Sequence, residues 1–239
     1  MMSIQAILFD LDGTFLEFDM VQELFPHYLR ALTEWMSPYV PPERFVPALY
    51  AGTEAITHND DGRQTNAEAF AAAFFARVEQ PRELLEPVFE AFYREAFPAL
   101  QHLARPRPAA RRIVERAFAL GYEVVIATNP YFPASATLER LRWANVADFP
   151  YHHITTYENS RAVKPTPRYY YDILELLGRG PAEALMVGDE AMDMAAGALG
   201  CLTYLVKSPA TTAEAFNPPP TFQGDLEALE EVLVKLRAQ

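Results

Sequence analysis

Short apolar runs recur along the chain with helical patterns between them, and this alternation constrains the fold more than any other feature. The strong runs cover residues 4–10, 122–128, 184–188 and 201–206, with a weaker one near 153–157. A run of this length between turn residues is typical of a buried strand. Strands that alternate with helices favour an α/β fold, here a doubly wound, Rossmann-like parallel sheet with helices on both faces.

Two helical patterns carry their own boundary signals. Thr166 and Pro167 are typical of a helix start, and Gly178 is typical of a helix end, so a helix is predicted between them. A second helix, near the end of the sequence, is predicted to open at Asp225. The proline-rich residues 217–220 are predicted to form a rigid loop before it.

The stretch from residue 15 to residue 103 differs from the rest of the chain, because it contains no convincing strand. Four apolar stripes at helical spacing lie within it, over residues 21–32, 46–53, 70–78 and 84–92. Pro26 is expected to kink or restart the first helix. We therefore predict an all-helical domain of residues 15–103, inserted into a core formed by residues 1–14 and 104–239.

Composition excludes several classes of protein. The 239 residues carry a formal net charge of −12, which disfavours general binding to nucleic acid or anionic membranes. The one cysteine, Cys201, permits neither an intramolecular disulfide nor a cysteine-rich metal site. No apolar run is long enough to span a membrane, and the first residues show no signal-like leader. We expect a cytoplasmic protein that binds neither nucleic acid nor a membrane.

Polar residues at the ends of the apolar runs are the candidates for chemistry. Asp10, Asp12 and Thr14 lie in the sequence DLDGT, where the first run ends. In a parallel sheet, ligands bind beyond the carboxyl ends of the strands. Two neighbouring carboxylates repel each other there unless a cation lies between them or one is protonated, which suits a nucleophile beside a general acid and a divalent metal ion. The alternative is a solvated Asp-Gly turn.

Later runs end in residues of the same kind. Thr128 and Asn129 follow the second run, and the Thr128 hydroxyl could donate to a phosphoryl oxygen or belong to an ordinary turn. Lys164 precedes a predicted helix, where its ammonium group could neutralise a phosphoryl group or be solvated. Asp189 and Asp193 follow the third run, and they suit Mg²⁺ or the N-terminus of a helix.

Taken in order, these segments resemble the four motifs of the haloacid dehalogenase superfamily. The matching residues are, in motif order, Asp10, Asp12 and Thr14, then Thr128, then Lys164, then Asp189 and Asp193. The resemblance covers residues 1–14 and about 104–239, and the insert lies where members with a helical cap of the first type carry that cap. The sequence departs from the family pattern at Glu190, where Ser or Thr is common, and at Met192, where Asn often precedes the final acid.

The resemblance implies a Mg²⁺-dependent phosphomonoester hydrolase that acts on a small phosphorylated metabolite. It makes Asp10 the nucleophile that forms an aspartyl-phosphate, and Asp12 the general acid and base. It assigns Thr128, Asn129 and Lys164 to the phosphoryl oxygens, and it counts Lys164 as catalytic because of its charge. The metal residues that it implies are Asp10 and Asp189 through their carboxylates, Asp12 through its backbone carbonyl, and Asp193, which supports the metal-bound waters or Lys164.

Substrate specificity is expected to reside in the cap domain. Glu17 follows the first motif and could line the hinge side of the cleft. His58 and Arg63 lie in the polar loop 57–64 and could reach the site when the cap closes. The alternative is an ordinary solvated loop in which Arg63 pairs with a neighbouring aspartate.

Two other functions stay open at this stage. A sugar phosphomutase shares the core residues, but it passes the phosphoryl group to a sugar hydroxyl instead of water. A non-catalytic member would bind a metabolite or a protein through its cap, although such a protein needs no paired nucleophile and acid. The sequence leaves open which ester is cleaved and whether the chain forms oligomers.

Overall fold

The computed structural model describes residues 3–18, 20–207 and 216–238. Its strands are β1 (Ala6–Phe9), β2 (Leu16–Glu17), β3 (Arg105–Pro106), β4 (Glu123–Ile126), β5 (His153–Ile154), β6 (Ala184–Gly188), β7 (Leu202–Val206) and β8 (Phe222–Gly224). Its α-helices are α1 (Phe25–Met36), α2 (Pro42–Thr57), α3 (Asn66–Phe75), α4 (Arg82–Glu95), α5 (Ala110–Ala119), α6 (Ala134–Trp143), α7 (Pro167–Leu177), α8 (Ala191–Met194) and α9 (Leu229–Arg237). Among these described residues, no helix combines the length and the apolar character that crossing a lipid bilayer requires.

Six strands form one parallel sheet in the order β5–β4–β1–β6–β7–β8. In the central strands, Ile7 lies opposite Val124 of β4 and Leu185 of β6. All four residues of β1 are buried, because the strand has a neighbour on each side and a packed layer on each face. The predicted parallel α/β sheet is confirmed.

Helices cover both faces of the sheet, since successive side chains of a strand point to opposite faces. Ile7 and Phe9 belong to an apolar cluster that includes Ile113 of α5 and Leu233 of α9. Leu8 belongs to a second cluster, to which the apolar face of α7 contributes. The doubly wound arrangement is therefore confirmed as well.

The helices α1 to α4 lie between β2 and β3, and α2 packs closely against α3. β2 and β3 form a separate antiparallel pair, with Leu16 opposite Pro106, where the chain leaves the sheet and returns to it. The expectation of no strand from residue 15 to 103 is wrong at Leu16–Glu17, because a two-residue pairing leaves no alternating pattern in the sequence. The helical character of the insert is confirmed, and the positions of the domain boundaries stay a prediction.

Local signals account for several helix ends. α7 spans Pro167–Leu177 as predicted, and Gly178 ends it with a φ of 66°. α1 begins at Phe25, so Pro26 lies in its first turn, as expected for a helix that restarts there. α3 begins after Thr65, whose hydroxyl accepts from the Glu68 backbone N–H in a capping box.

The last part of the chain differs from the prediction in two ways. α9 begins at Leu229, later than Asp225, because the Asp225 carboxylate accepts from the Ala228 backbone N–H at 2.8 Å and closes a separate turn. The edge strand β8 is absent from the sequence prediction, since its three residues, FQG, form no apolar run.

Candidate active site

The candidate residues converge at the carboxyl edge of the central strands. Asp10 follows β1 directly, Asp189 follows β6 directly, and Thr128 lies two residues after β4. Because β1 lies between β4 and β6, these side chains meet at one edge of the sheet. Lys164 joins them from the loop before α7, and Asp193 joins them from α8.

Lys164 connects two of the carboxylates. Its Nζ donates to Asp10 Oδ1 at 2.7 Å and to Asp193 Oδ1 at 2.6 Å. The Lys164 side chain is 1% exposed, so these ion pairs are shielded from water. Burial alone would lower the pKa of Lys164, but Asp10 and Asp193 outweigh it and hold that pKa well above its ordinary value. Lys164 is therefore a permanent cation beside Asp10.

Three carboxylates share the space next to this lysine. Carboxylate oxygens of Asp10, Asp189 and Asp193 all lie within 4.8 Å of one another. The Thr14 hydroxyl lies between two of them, 3.2 Å from Asp10 Oδ2 and 3.3 Å from Asp189 Oδ1. Burial raises the pKa of Asp189 and of Asp193. Lys164 opposes that rise, and the neighbouring carboxylates add to it because negative charges crowd a poorly solvated site.

This donor set fits a hard divalent cation. The carboxylates of Asp10, Asp189 and Asp193 offer only oxygen ligands, which Mg²⁺ prefers. Lys164 carries one positive charge against three carboxylates, so the cluster retains an excess of negative charge that a divalent ion would balance. The predicted metal residues Asp10, Asp189 and Asp193 are thus brought together, and the side chain of Asp12 is not part of the group.

Gly13 permits the DLDGT loop to approach this cluster. Its φ is +85°, and a Cβ on this residue would overlap the carboxylate of Asp189. The Gly13 carbonyl oxygen accepts from Arg107 Nη2 at 2.9 Å, which fixes the loop from the other side. A side chain at position 13 would therefore displace one of the carboxylates.

Asp12 has a different partner, which the sequence did not indicate. Its Oδ2 accepts from Nη1 of Arg140 on α6, a residue with 0% exposure. Arg140 also donates to Thr137 Oγ1 at 3.3 Å, and its guanidinium carbon lies 4.7 Å from the centre of the Phe132 ring. Burial raises the pKa of Asp12, and Arg140 opposes that rise. The other oxygen of this carboxylate, Oδ1, makes no hydrogen bond within the protein.

Thr128 and Asn129 line the same cavity as Asp10, which opens above the carboxylate cluster. The Thr128 carbonyl accepts from the hydroxyls of Thr155 at 2.6 Å and Tyr169 at 2.9 Å, which fixes the backbone here. Asn129 Oδ1 accepts from the Lys164 backbone N–H at 3.2 Å. These contacts hold the two residues in place beside the lysine.

The three predicted specificity residues lie away from the lining of this cavity. Glu17 pairs with Arg107, its Oε1 lying 3.0 Å from Nη1. His58 directly follows α2, and its Nδ1 lies 2.9 Å from the carbonyl oxygen of Glu54 on that helix. Arg63 is exposed, and its backbone N–H donates to Asp61. The structure therefore does not bring these side chains to the site, and their role in specificity stays a prediction.

A cavity of about 590 Å³ opens above the carboxylate cluster. Asp10, Asp12, Asp189 and Asp193 form part of its wall, and residues of α1 to α4 form much of the remainder. Its size is typical of a pocket for a small molecule. The carboxylates and a ligand-sized space therefore occur together, at the place in the sheet where ligands bind in α/β folds.

Comparison with known proteins identifies the family. A sequence profile of the haloacid dehalogenase-like hydrolases matches residues 4–200, which is most of the chain. The chain belongs to this family. The resemblance inferred from the motifs is confirmed.

Two curated relatives of this haloacid dehalogenase-like hydrolase are phosphatases. Hexitol phosphatase A of Escherichia coli K12 is 29% identical over 213 residues, which cover 88% of this chain and 87% of the relative. Phosphoglycolate phosphatase of Neisseria gonorrhoeae is 29% identical over 206 residues, which cover 84% of this chain and 78% of the relative. The solved structure of a phosphatase of the family from Thermococcus onnurineus matches the fold with a TM-score of 0.61 at 20% identity, over 96% of this chain and 98% of the other.

Several residues of this family member contact the candidate site without having been predicted there. They include Arg107, Arg140, Thr155 and Tyr169. The two arginines belong to the 17 in the chain, and nothing near them in sequence separates a buried arginine from a solvated one. Tyr169 lies in the predicted helix α7, and only the packing shows that its hydroxyl reaches the Thr128 carbonyl.

Proposed function

We propose that this haloacid dehalogenase-like phosphatase is a Mg²⁺-dependent phosphomonoester hydrolase that forms an aspartyl-phosphate on Asp10. The observation that carries the proposal is the 2.7 Å contact of Lys164 Nζ with Asp10 Oδ1, beside the carboxylates of Asp189 and Asp193. Phosphoryl transfer depends mainly on positioning and on neutralising charge. A lysine on one side of the nucleophile and a cation-binding cluster on the other meet that need.

In the first half of the proposed reaction, an Asp10 carboxylate oxygen bonds to phosphorus and the bond from phosphorus to the leaving oxygen breaks. Asp12 gives a proton to that leaving oxygen, so the product departs as a neutral alcohol. Lys164, Thr128 and Asn129 bind the phosphoryl oxygens. Mg²⁺, held by the carboxylates of Asp10 and Asp189 and the backbone carbonyl of Asp12, would supply further positive charge to those oxygens.

In the second half, the Asp12 carboxylate takes a proton from a water molecule. The oxygen of that water bonds to phosphorus, and the bond between phosphorus and the Asp10 oxygen breaks. Inorganic phosphate leaves, and Asp10 is again a free carboxylate. Asp193 holds Lys164 in position throughout, because its Oδ1 accepts from Nζ at 2.6 Å.

The proposed substrate is a small phosphorylated metabolite. The cavity volume of about 590 Å³ and the names of the two phosphatase relatives support this size class. The cytoplasmic location expected from the sequence stays a prediction.

The proposal is tested by measuring phosphate release from a panel of small phosphomonoesters with Mg²⁺, for the wild type and for Asp10→Asn. The substitution removes the nucleophile, so release should fall by at least about 10³-fold. Asp148→Asn is the matched control, since Asp148 is an exposed residue that pairs with Arg111 away from the cavity. EDTA should abolish release, and excess Mg²⁺ should restore it.

Each of the other outcomes has a definite meaning. Full turnover after removal of metal would contradict the Mg²⁺ requirement. Release that survives in Asp10→Asn would contradict the aspartyl-phosphate. If no inorganic phosphate is released while the phosphoryl group of a sugar monophosphate moves to another hydroxyl, the enzyme is a phosphomutase and the proposed hydrolysis is wrong.

A further inference from the structure

The part of the cavity wall built by the helical insert is aromatic. The insert and the neighbouring core loops contribute rings to it, among them Phe18, Phe70, Phe75, Phe89, Phe132 and Tyr157. These rings are only partly buried, although the five phenylalanines pack against the apolar core. They therefore present uncovered apolar surface to the cavity, and a ligand that covers such surface is bound more tightly because water is released from it.

Charge in the cavity argues against a second anionic group on the substrate. Within the described part of the chain, Arg82 is the one cationic side chain in the wall, and its Nε already donates to Glu86 Oε1 at 2.5 Å. Glu86, Glu90 and Glu190 also line the cavity. A carboxylate or a second phosphate on the leaving group would lose its water there and meet more negative than positive charge.

Three hydroxyls in the same wall are bonded within the protein. The hydroxyls of Tyr28 and Tyr93 lie 2.8 Å apart, and the Thr53 hydroxyl donates to the Leu49 carbonyl at 3.0 Å. A leaving group with many hydroxyls, such as a hexitol, would find acceptors only in the carboxylates of this wall and would leave the aromatic surface uncovered. The wall thus favours an uncharged leaving group with a large apolar part.

Contacts with neighbouring residues fix the position of the Phe70 ring in the aromatic wall. Its ring stacks on Phe74 at a centroid distance of 5.5 Å and lies 6.3 Å from the ring of Tyr157 on the core side. A Cβ on Gly52 of α2 would be 2.5 Å from the Phe70 ring, so the absence of a side chain at position 52 makes room for it. The ring is held in place before any substrate arrives, which lowers the entropic cost of binding against it.

Building on the proposed hydrolase function, we propose that the substrate is a phosphomonoester whose leaving group is uncharged and mainly apolar and carries an aromatic ring, that is, an arylalkyl phosphate. The phosphate meets Asp10 and Lys164, and the ring contacts the aromatic wall. This class differs from the substrates named for the two curated relatives, a hexitol phosphate and phosphoglycolate.

The test compares kcat/KM for four monophosphates: 2-phenylethyl, ethyl and hexitol phosphate, and phosphoglycolate. All four release a primary alcohol, so differences in kcat/KM report mainly on recognition of the leaving group. We expect 2-phenylethyl phosphate to exceed hexitol phosphate and phosphoglycolate by about 100-fold, since its ring covers apolar surface of the wall that neither polar ester covers. Equal or better hydrolysis of either polar ester would overturn the inference and leave the proposed hydrolase function intact.

A substitution in the aromatic wall tests whether the preference for the arylalkyl ester arises from that wall. Phe70→Leu keeps an apolar side chain and removes the ring, so the ratio of kcat/KM for 2-phenylethyl phosphate to that for ethyl phosphate should fall about 10-fold. Phe118→Leu is the matched control, because Phe118 stacks on Phe149 and lies outside the cavity lining. An unchanged ratio in Phe70→Leu, with thermal unfolding confirming that the variant is folded, would contradict the role of the ring.

Measurements of binding test the proposed ligand class independently of the proposed reaction. Calorimetry with Asp10→Asn and Mg²⁺ measures Kd for 2-phenylethyl phosphate and for hexitol phosphate without turnover. If no ester is hydrolysed by the wild type, the hydrolase proposal fails, and tighter binding of the arylalkyl phosphate still supports the ligand class. Equal Kd values for the two esters would overturn it.

Discussion

At the scale of single residues, the arginine that binds Asp12 is the least expected feature of the site. Arg140 is fully buried on α6, and its guanidinium contacts the Asp12 carboxylate on one side and the Phe132 ring on another. Without this partner, the buried Asp12 carboxylate would strongly destabilise the folded protein. Because the proposed reaction requires Asp12 to reach the leaving oxygen, we expect Arg140 to position that carboxylate.

Arg140→Gln should lower kcat for alkyl phosphates by about 10²-fold, since misplacing a proton donor by about 1 Å can cost that much. It should also lower the free energy of unfolding by about 3–5 kcal/mol, because Asp12 is left unpaired. The loss in kcat should be smaller for 4-nitrophenyl phosphate, whose leaving group needs little protonation. Steady-state kinetics with both esters measure this difference.

Arg142→Gln is the control, since Arg142 is exposed on the same helix and pairs with Glu139. Arg140→Lys keeps the charge and should recover part of the activity. Equal losses of kcat for the alkyl and nitrophenyl esters would show that Arg140 acts on folding alone.

At the scale of elements, the two ends of the central strands carry residues with different roles. The carboxyl ends of β1, β4 and β6 present the candidate catalytic groups, while the opposite edge carries stabilising contacts. There, Glu123 at the start of β4 accepts two hydrogen bonds from Arg179, at 2.8 and 3.1 Å, just beyond α7. The hydrogen bonds from Arg179 hold the pKa of Glu123 below its ordinary value.

The stability that this pair contributes should depend on pH. Because the pKa of Glu123 is lower in the folded chain than in the unfolded chain, the contribution is present above the unfolded value of about 4.3 and is lost as the pH falls through the folded pKa. Urea unfolding should therefore show Glu123→Gln to be less stable than the wild type at pH 7, by about 1 kcal/mol or less, with no difference near pH 2.

Glu175→Gln, an exposed change on α7, is the control for this comparison. A difference between Glu123→Gln and the wild type that stays constant from pH 7 to pH 2 would contradict the ion-pair explanation. Phosphate release should be the same in the variant and the wild type, since the pair lies at the far edge of the sheet.

At the scale of the whole molecule, the insert is attached to the core through the start of α3. The buried Asn66 side chain donates to the carbonyls of Pro130 and Ala162, at 3.2 Å each. The backbone N–H groups of Asn66 and Ala67 donate to core carbonyls as well. The first N–H groups of a helix have no partner within the helix, so the core completes this helix end.

Asn66→Asp keeps the shape of the side chain and removes both donated hydrogen bonds. It should lower the free energy of unfolding by at least about 2 kcal/mol, because two buried carbonyls lose their donor and a charge is placed beside them. Hydrogen exchange should show faster opening of α3 than of the central strands. Asn159→Asp, an exposed change that removes a bond to one carbonyl, should cost much less; equal costs would contradict the attachment described here.

The sequence by itself determined the features that depend on short stretches of chain. The positions of the main strands, the helical insert, the restart at Pro26 and the end of α7 at Gly178 all follow from local periodicity and backbone preference. The family motifs followed too, because Asp10, Thr128 and Asp189 occur where apolar strands end. In a parallel sheet, that position already implies a common edge.

The tertiary structure decided which distant side chains meet. Arg140 lies 128 residues from its partner Asp12, and Lys164 lies 154 residues from Asp10, so both contacts depend on how the helices and loops pack on the sheet. The same packing leaves His58 and Arg63 outside the cavity and lines it with aromatic rings. Local sequence patterns specify the direction of a side chain relative to its own helix or strand. Only the assembled fold specifies which residues of other elements that side chain contacts.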